Sequence, residues 1–104
     1  MLAAELDEIL LENVVELSFV KKTDGSIRNM VCTKSYSLLN SVEGINKLGY
    51  VKPKGNVTYD LKAANNLVVW DIDKKNYRTV SCDTVTVKNV IPKEQYLAFL
   101  RLND

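Results

Sequence analysis

The sequence predicts a small, mainly β (α+β) protein built on a five-stranded antiparallel barrel. Three observations carry this prediction. The chain has 104 residues, the length of a single domain, so residues 1–104 are expected to fold as one unit. Five short segments alternate apolar and polar residues with the period of half-buried strands. Turn residues separate these segments closely, and closure into a barrel would remove the sheet edges that promote aggregation.

An N-terminal helix is predicted over residues 1–12. Its apolar residues follow the i, i+4, i+7 and i+8 spacing of one helical face: Leu2, Leu6, Ile9 and Leu10. Acidic residues occupy the remaining faces. Because so short a helix is unstable alone, we expect its apolar face to cap the barrel or, alternatively, to form a partner surface.

A β-hairpin is predicted over residues 14–33. In its first strand Val15, Leu17 and Phe19 share one face. The Asp-Gly pair that follows the strand favours a hairpin turn, because glycine adopts positive φ at low cost.

The segment 34–66 is predicted to be a long central insertion. Rough helical spacing of apolar residues predicts a short helix near residues 36–46, and residues 57–61 resemble a brief strand. Glycine and proline interrupt the pattern between them. Irregular connections of this length in compact domains are often functional or mobile, which makes the insertion a candidate lid.

The last third is predicted to be a three-strand meander over residues 67–90, followed by a short helix over residues 92–102. Trp70 lies on an apolar strand face and is therefore expected in the core. Tyr77 starts the second strand of the meander and is the better candidate for an exposed aromatic side chain.

The composition argues against an enzyme. The chain contains no histidine, which excludes imidazole-activated nucleophiles and histidine-ligated metals. We therefore expect no catalytic residue, no metal site and no cofactor. Asp71 and Asp73 share a strand face and have the ligand type that Mg²⁺ prefers, but their lysine-rich turn favours solvated acids.

The cysteines and the N-terminus predict a compartment. The acidic N-terminal residues lack the basic region of a secretory signal, and no apolar run is long enough to span a membrane. Cys32 and Cys82 are accordingly expected to be buried, reduced thiols in a cytoplasm.

Charge is unevenly distributed along the chain. The total is +1, but residues 1–16 carry five acidic and no basic side chains, whereas residues 21–54 carry seven basic and two acidic ones. One interpretation is a basic face that binds nucleic acid. The other is that the acidic helix packs against the basic strands and neutralises them.

Two blocks of sequence carry a family resemblance. The first runs from Phe19 to Thr33 and contains an Asp-Gly turn followed by Arg-Asn-Met-Val-Cys-Thr. The second contains Val69-Trp70-Asp71 and then Tyr77-Arg78-Thr79-Val80. Together they resemble a family of small bacteriophage proteins with an SH3-like or Sm-like β-barrel, related to WYL domains. The resemblance covers residues 15–33 and 67–88, and it implies a barrel fold and a phage source.

Six side chains are candidate binding residues: Arg28, Lys34, Lys52, Lys54, Tyr77 and Arg78. The two arginines offer a planar bidentate fork to phosphate or carboxylate groups, and an exposed tyrosine can stack on a base. For both arginines the alternative is a solvated strand residue that forms an ion pair across the hairpin with Asp24, Asp71 or Asp73.

These features together predict a non-enzymatic, phage-encoded binding protein that modulates a host regulatory, transcription or defence component in the host cell cytoplasm. A host protein is the preferred partner, because a net charge near zero gives little generic attraction to nucleic acid. Nucleic acid, a nucleotide or small ligand under the insertion as a lid, and a homo-oligomer stay open as alternatives. Convergence of Lys47, Lys52 and Lys54 with Arg28 would favour nucleic acid, whereas their scatter would favour a protein.

Overall fold

The computed structural model describes residues 1–53 and 64–102, so Lys54 and the strand expected over residues 57–61 lie outside the described residues. The described chain contains four α-helices and five strands. In chain order they are α1 (Ala3–Glu12), β1 (Asn13–Val20), β2 (Ile27–Thr33), α2 (Tyr36–Leu39), α3 (Val42–Lys47), β3 (Asn66–Asp71), β4 (Asn76–Ser81), β5 (Thr86–Pro92) and α4 (Lys93–Leu102).

All strands belong to one antiparallel sheet with the order β4-β3-β2-β1-β5. The α+β class and the five antiparallel strands are thereby confirmed. The sheet is not closed, because β4 and β5 form its two edges. In the described residues, the ladder between the two hairpins, β1–β2 and β3–β4, consists of Cys32 with Asp71 and Thr33 with Trp70, and the Ile72 amide extends it by donating to the Val31 carbonyl at 2.9 Å.

The expected three-strand meander over residues 67–90 is wrong in one connection. β3 and β4 form a hairpin as predicted, but β5 leaves β4 and pairs with β1 instead. A 3-10 turn, Cys82–Thr84, redirects the chain between them. The end of β1 reaches this turn, since the Val20 amide donates to Thr84 Oγ1 at 2.9 Å. Strand periodicity predicts each strand but not its neighbour in the sheet.

The first core lies on the face of the sheet that α1 covers. Leu6 and Leu10 of the predicted helical stripe are fully buried there. They pack with alternate residues of the strands, among them Val15, Leu17 and Val69. The helix predicted over residues 1–12 is confirmed with its apolar face inward.

The second core lies on the opposite face of the sheet, under α2, α3 and α4. Trp70 is 3% exposed, as expected, and its indole N–H donates to the Leu48 carbonyl at 3.1 Å. The predicted helix near residues 36–46 consists of two short helices. Ser35 and Ser41 each accept a backbone N–H from the helix that follows, which starts a new helix at each serine.

Gly44 lies in α3 at the point where this helix packs against α2. An added Cβ at this position would overlap the backbone carbonyl oxygens of Leu38 and Leu39. We expect Gly44→Ala to lower the free energy of unfolding by about 1–3 kcal/mol, measured by chemical denaturation. Asn46→Ala, at an exposed position of the same helix, is the control and should change it by less than about 0.5 kcal/mol. Equal effects of the two substitutions would contradict this close contact.

Buried thiol and phenol groups make stability depend on pH. Burial, with a further contribution from Asp71, raises the pKa of Cys32 to about 12. Burial likewise raises the pKa of Cys82 and Tyr96. In the unfolded chain the pKa is about 8.5 for cysteine and about 10 for tyrosine. Above the pKa of the unfolded cysteine the folded protein holds more protons than the unfolded chain. The contribution of these groups to the free energy of unfolding is therefore fully present below that pKa and is lost as pH rises toward 12.

The measurement is the free energy of unfolding at a series of pH values between 8 and 11. We expect it to fall over this range, and we expect Cys32→Ala to reduce the slope of the fall. A slope that is unchanged in Cys32→Ala would show that this thiol does not contribute.

Candidate functional site: a cationic cleft

A cleft opens where the two hairpins diverge. It lies between the β1–β2 turn and the edge strand β4 and has a volume of about 260 Å³. Phe19 and Met30, both members of the first core, supply its apolar side. The remaining lining residues are polar or charged: Lys21, Lys22, Thr23, Arg28, Asn66, Arg78, Thr79 and Ser81. Four of them are cations.

The β1–β2 turn places two lysines at the rim of the cleft. The Lys21 amide donates to the Ser26 carbonyl and the Gly25 amide donates to the Lys21 carbonyl, with Gly25 at φ 73°. Lys21 faces Asp24 and Lys22 faces Asp83, each at 3.9 Å between nitrogen and oxygen. All four side chains are more than a third exposed, so these pairs hold the lysines weakly.

Arg28 is held more firmly than the lysines. Its guanidinium donates to Asp71 Oδ2 at 3.2 Å, and the Lys74 amide donates to Asp71 Oδ1 at 3.0 Å. The Asp71 side chain is 3% exposed, whereas that of Arg28 is 24% exposed. The pairing expected as the structural alternative for Arg28 is therefore confirmed for Asp71. The same contact orients the guanidinium at the wall of the cleft.

Arg78 completes the cationic set from β4. One of its guanidinium nitrogens donates to the Tyr77 carbonyl at 3.2 Å. Among residues 1–53 and 64–102, no carboxylate lies within salt-bridge distance of it. Its charge is thus the one in the cleft that the described residues leave uncompensated. Such a group favours an anionic ligand.

The cleft unites two of the six predicted residues, Arg28 and Arg78. The other predicted lysines are elsewhere. Lys34 forms an ion pair with Asp7 of α1 at 2.5 Å, and Lys52 is exposed outside the cleft. Lys54 lies beyond the described part of the chain. The expected contact between the acidic helix and the basic segment thus exists, and among the described residues it includes the pair of Lys34 and Asp7.

Tyr77 is a packing residue rather than an exposed one, which corrects the prediction for it. Its ring contacts Trp70 and Tyr50, with centroid distances of 4.9 and 6.3 Å. Its hydroxyl donates to the Val51 carbonyl at 2.8 Å. Burial raises the pKa of the phenol. The prediction failed because Tyr77 faces the same side as Trp70, its partner in the β3–β4 register.

Lys21 and Lys22 line the cleft, whereas from the sequence they were counted in the basic segment 21–54 without being named as candidate binding residues. The sequence could have identified them as neighbours of a site, because two adjacent lysines between two predicted strands must lie at one end of the sheet. That end became part of a site only because the hairpin curves toward β4.

The two cysteines lie in the first core and do not line the cleft. Cys32 and Cys82 are free and buried, and burial raises the pKa of both thiols, which lowers their reactivity. No cluster of three potential metal ligands occurs in the parts of the chain described. The expectation that Asp71 is a solvated turn acid is wrong, because Asp71 is committed to Arg28.

Across the described residues, no helix is both long and apolar enough to cross a membrane. No protein-family model, curated protein or solved structure matches this chain. The resemblance to the bacteriophage family therefore rests on the two sequence blocks alone.

Removal of Asp71 tests how firmly Arg28 is held. We expect Asp71→Ala to lower the free energy of unfolding by about 1–3 kcal/mol, because it leaves a partly buried guanidinium and the Lys74 amide without an acceptor. Asp24→Ala, which breaks an exposed pair, should cost less than about 1 kcal/mol. Chemical denaturation measures both. A smaller loss for Asp71→Ala than for Asp24→Ala would contradict the anchoring role of Asp71.

Proposed function

We propose that this protein is a non-enzymatic binding protein that takes an acidic segment of a partner protein into the cationic cleft. One observation carries the proposal. Arg78 and Arg28, from different hairpins, converge on the cleft with two lysines, and no described carboxylate compensates Arg78. A carboxylate ligand can accept bidentate hydrogen bonds from a guanidinium fork, and Phe19 and Met30 exclude water on one side.

The distribution of the other cations favours a protein over nucleic acid. Lys34 pairs with Asp7, and Lys47 donates to the Leu100 carbonyl on the far side of the sheet. Lys52 does not line the cleft. A nucleic-acid groove needs cations that follow a phosphate backbone over several nucleotides, together with aromatic faces for stacking. Lys34, Lys47 and Lys52 thus lie away from the cleft, and the aromatic cluster around Trp70 lies on the opposite face of the sheet.

A small ligand enclosed by the insertion has less support. The described part of the insertion, up to residue 53, packs in the second core through Leu38, Leu39, Leu48 and Tyr50. That core lies on the other face of the sheet from Phe19 and the cleft. This part of the insertion is therefore not placed to close over the cations.

The biological setting is also part of the proposal. The resemblance to the phage barrel family supports a phage-encoded protein that acts on a regulatory, transcription or defence component in the host cytoplasm. We further propose that the curved sheet is an opened form of the SH3-like or Sm-like barrel. The hydrogen bond from Val20 to Thr84, which brings the first hairpin toward the end of β4, supports this interpretation.

The charge of Arg78 is the most direct test of the proposal. The probe is a labelled eight-residue peptide in which aspartate alternates with threonine, titrated at low salt by fluorescence anisotropy. We expect Arg78→Gln to weaken binding about tenfold, through loss of a charged hydrogen bond of about 1.5 kcal/mol. Lys52→Gln makes the same change in net charge outside the cleft and should weaken binding less than about twofold.

Two outcomes would overturn the proposal. Equal effects of Arg78→Gln and Lys52→Gln would show that only net charge matters. Tighter binding of single- or double-stranded oligonucleotides than of the peptide, with a steep salt dependence, would replace the protein partner by nucleic acid.

A further inference from the structure

The second half of β4 borders the cleft. β4 is an edge strand of the sheet, and Arg78, Thr79 and Ser81 all line the cleft. The strand contains no proline, and Arg78 is its only charged residue. The other edge, β5, ends in Pro92 and is continued by α4. Charge, proline and cover protect an edge from pairing, so β4 is the less protected of the two edges.

The phase of the β3–β4 ladder identifies which backbone groups of β4 point outward. The Cys82 amide donates to the Asn65 carbonyl, and antiparallel pairs alternate between bonded and non-bonded positions. Val80 and Arg78 therefore bond to β3, whereas Tyr77, Thr79 and Ser81 direct their N–H and C=O groups away from it.

The neighbouring contacts agree with this phase. The Tyr77 amide donates to the Asn76 side chain, and the Tyr77 carbonyl accepts from Arg78, so both of its outward groups are used. No described residue makes a hydrogen bond to the outward backbone groups of Thr79 and Ser81. Thr79 and Ser81 are thus the positions of the edge, at the side of the cleft, that the described residues leave unbonded.

We propose that the partner segment binds as an added antiparallel strand along β4, with its backbone on Thr79 and Ser81 and its acidic side chains in the cleft. The inference rests on the proposed function and specifies how the acidic segment is recognised. Charge complementarity with the four cations selects an acidic extended peptide as the occupant. An antiparallel direction continues the pattern of every strand pair in the sheet and gives the more stable ladder.

This geometry dictates an alternating sequence in the ligand. Arg78 faces the same side of the sheet as Val69 and the first core, whereas Thr79 faces the opposite side. Ligand residues that bond to Thr79 and Ser81 share the face of Thr79. The residues between them face the cations, and their own N–H groups point away from β4. Acidic residues are therefore required at every second position, and their amides are dispensable.

N-methylation of the peptide tests this register without altering the protein. In the peptide of alternating aspartate and threonine, methylation of the threonine amides removes the hydrogen bonds to β4 and should weaken binding at least about tenfold. Methylation of the aspartate amides is the matched control and should change binding less than about threefold. Equal effects, or a larger effect from the aspartate series, would overturn the inference.

Amide hydrogen exchange of the full chain supplies a second readout. Saturation with the unmethylated peptide should slow exchange at Thr79 and Ser81 by more than about tenfold, while Val80, already bonded to β3, changes little. Slow exchange of the Thr79 amide in the free protein would overturn the inference. If this protection does not depend on protein concentration, another part of this chain occupies the edge. If it grows with protein concentration, a second copy of the chain occupies the edge. If these tests fail but Arg78→Gln still weakens peptide binding, the proposed function stands and only the added strand is excluded. Loss of the Arg78 effect would remove both.

Discussion

The two residue pairs that join β2 to β3 are the contact on which the rest of the structure depends. Among the described residues, Cys32 with Asp71 and Thr33 with Trp70 form the whole register between the two hairpins. On one face of this junction Asp71 binds Arg28, and on the other Trp70 anchors the second core. A cleft lies beside Arg28 on the first face, whereas helices cover the face of Trp70.

The same arrangement of hairpins and helices determines which charges lie close together. The acidic helix and the basic segment sum to nearly zero in sequence, but in the structure they meet at the pair of Asp7 and Lys34. The cations of the cleft are compensated unequally: Arg28 by a buried carboxylate, the two lysines by exposed ones, and Arg78 by no described carboxylate. A chain with a net charge of only +1 therefore concentrates four cations in one cleft.

Local patterns predicted more of the fold than of the site. The first hairpin and both terminal helices follow from period and turn chemistry, which act between residues close in sequence. The placement of β5 beside β1 does not, because it depends on competition between strands distant in the chain. Arg28 and Arg78 were predicted from their residue type and their positions beside turns. The contacts of Tyr77 with Trp70 and of Lys34 with Asp7 were missed, because each depends on a partner that local periodicity does not identify.

The sequence by itself determined that no side chain can supply imidazole chemistry, since the chain contains no histidine. It also determined which segments are strands, because alternation of apolar residues is a local property. Only the tertiary structure decided that the lysines of the first turn join the two arginines, and that the outward amides of β4 lie beside them. The physical reason is that the first hairpin curves toward the end of β4, where the Val20 amide donates to Thr84, a contact between distant residues that no local pattern encodes.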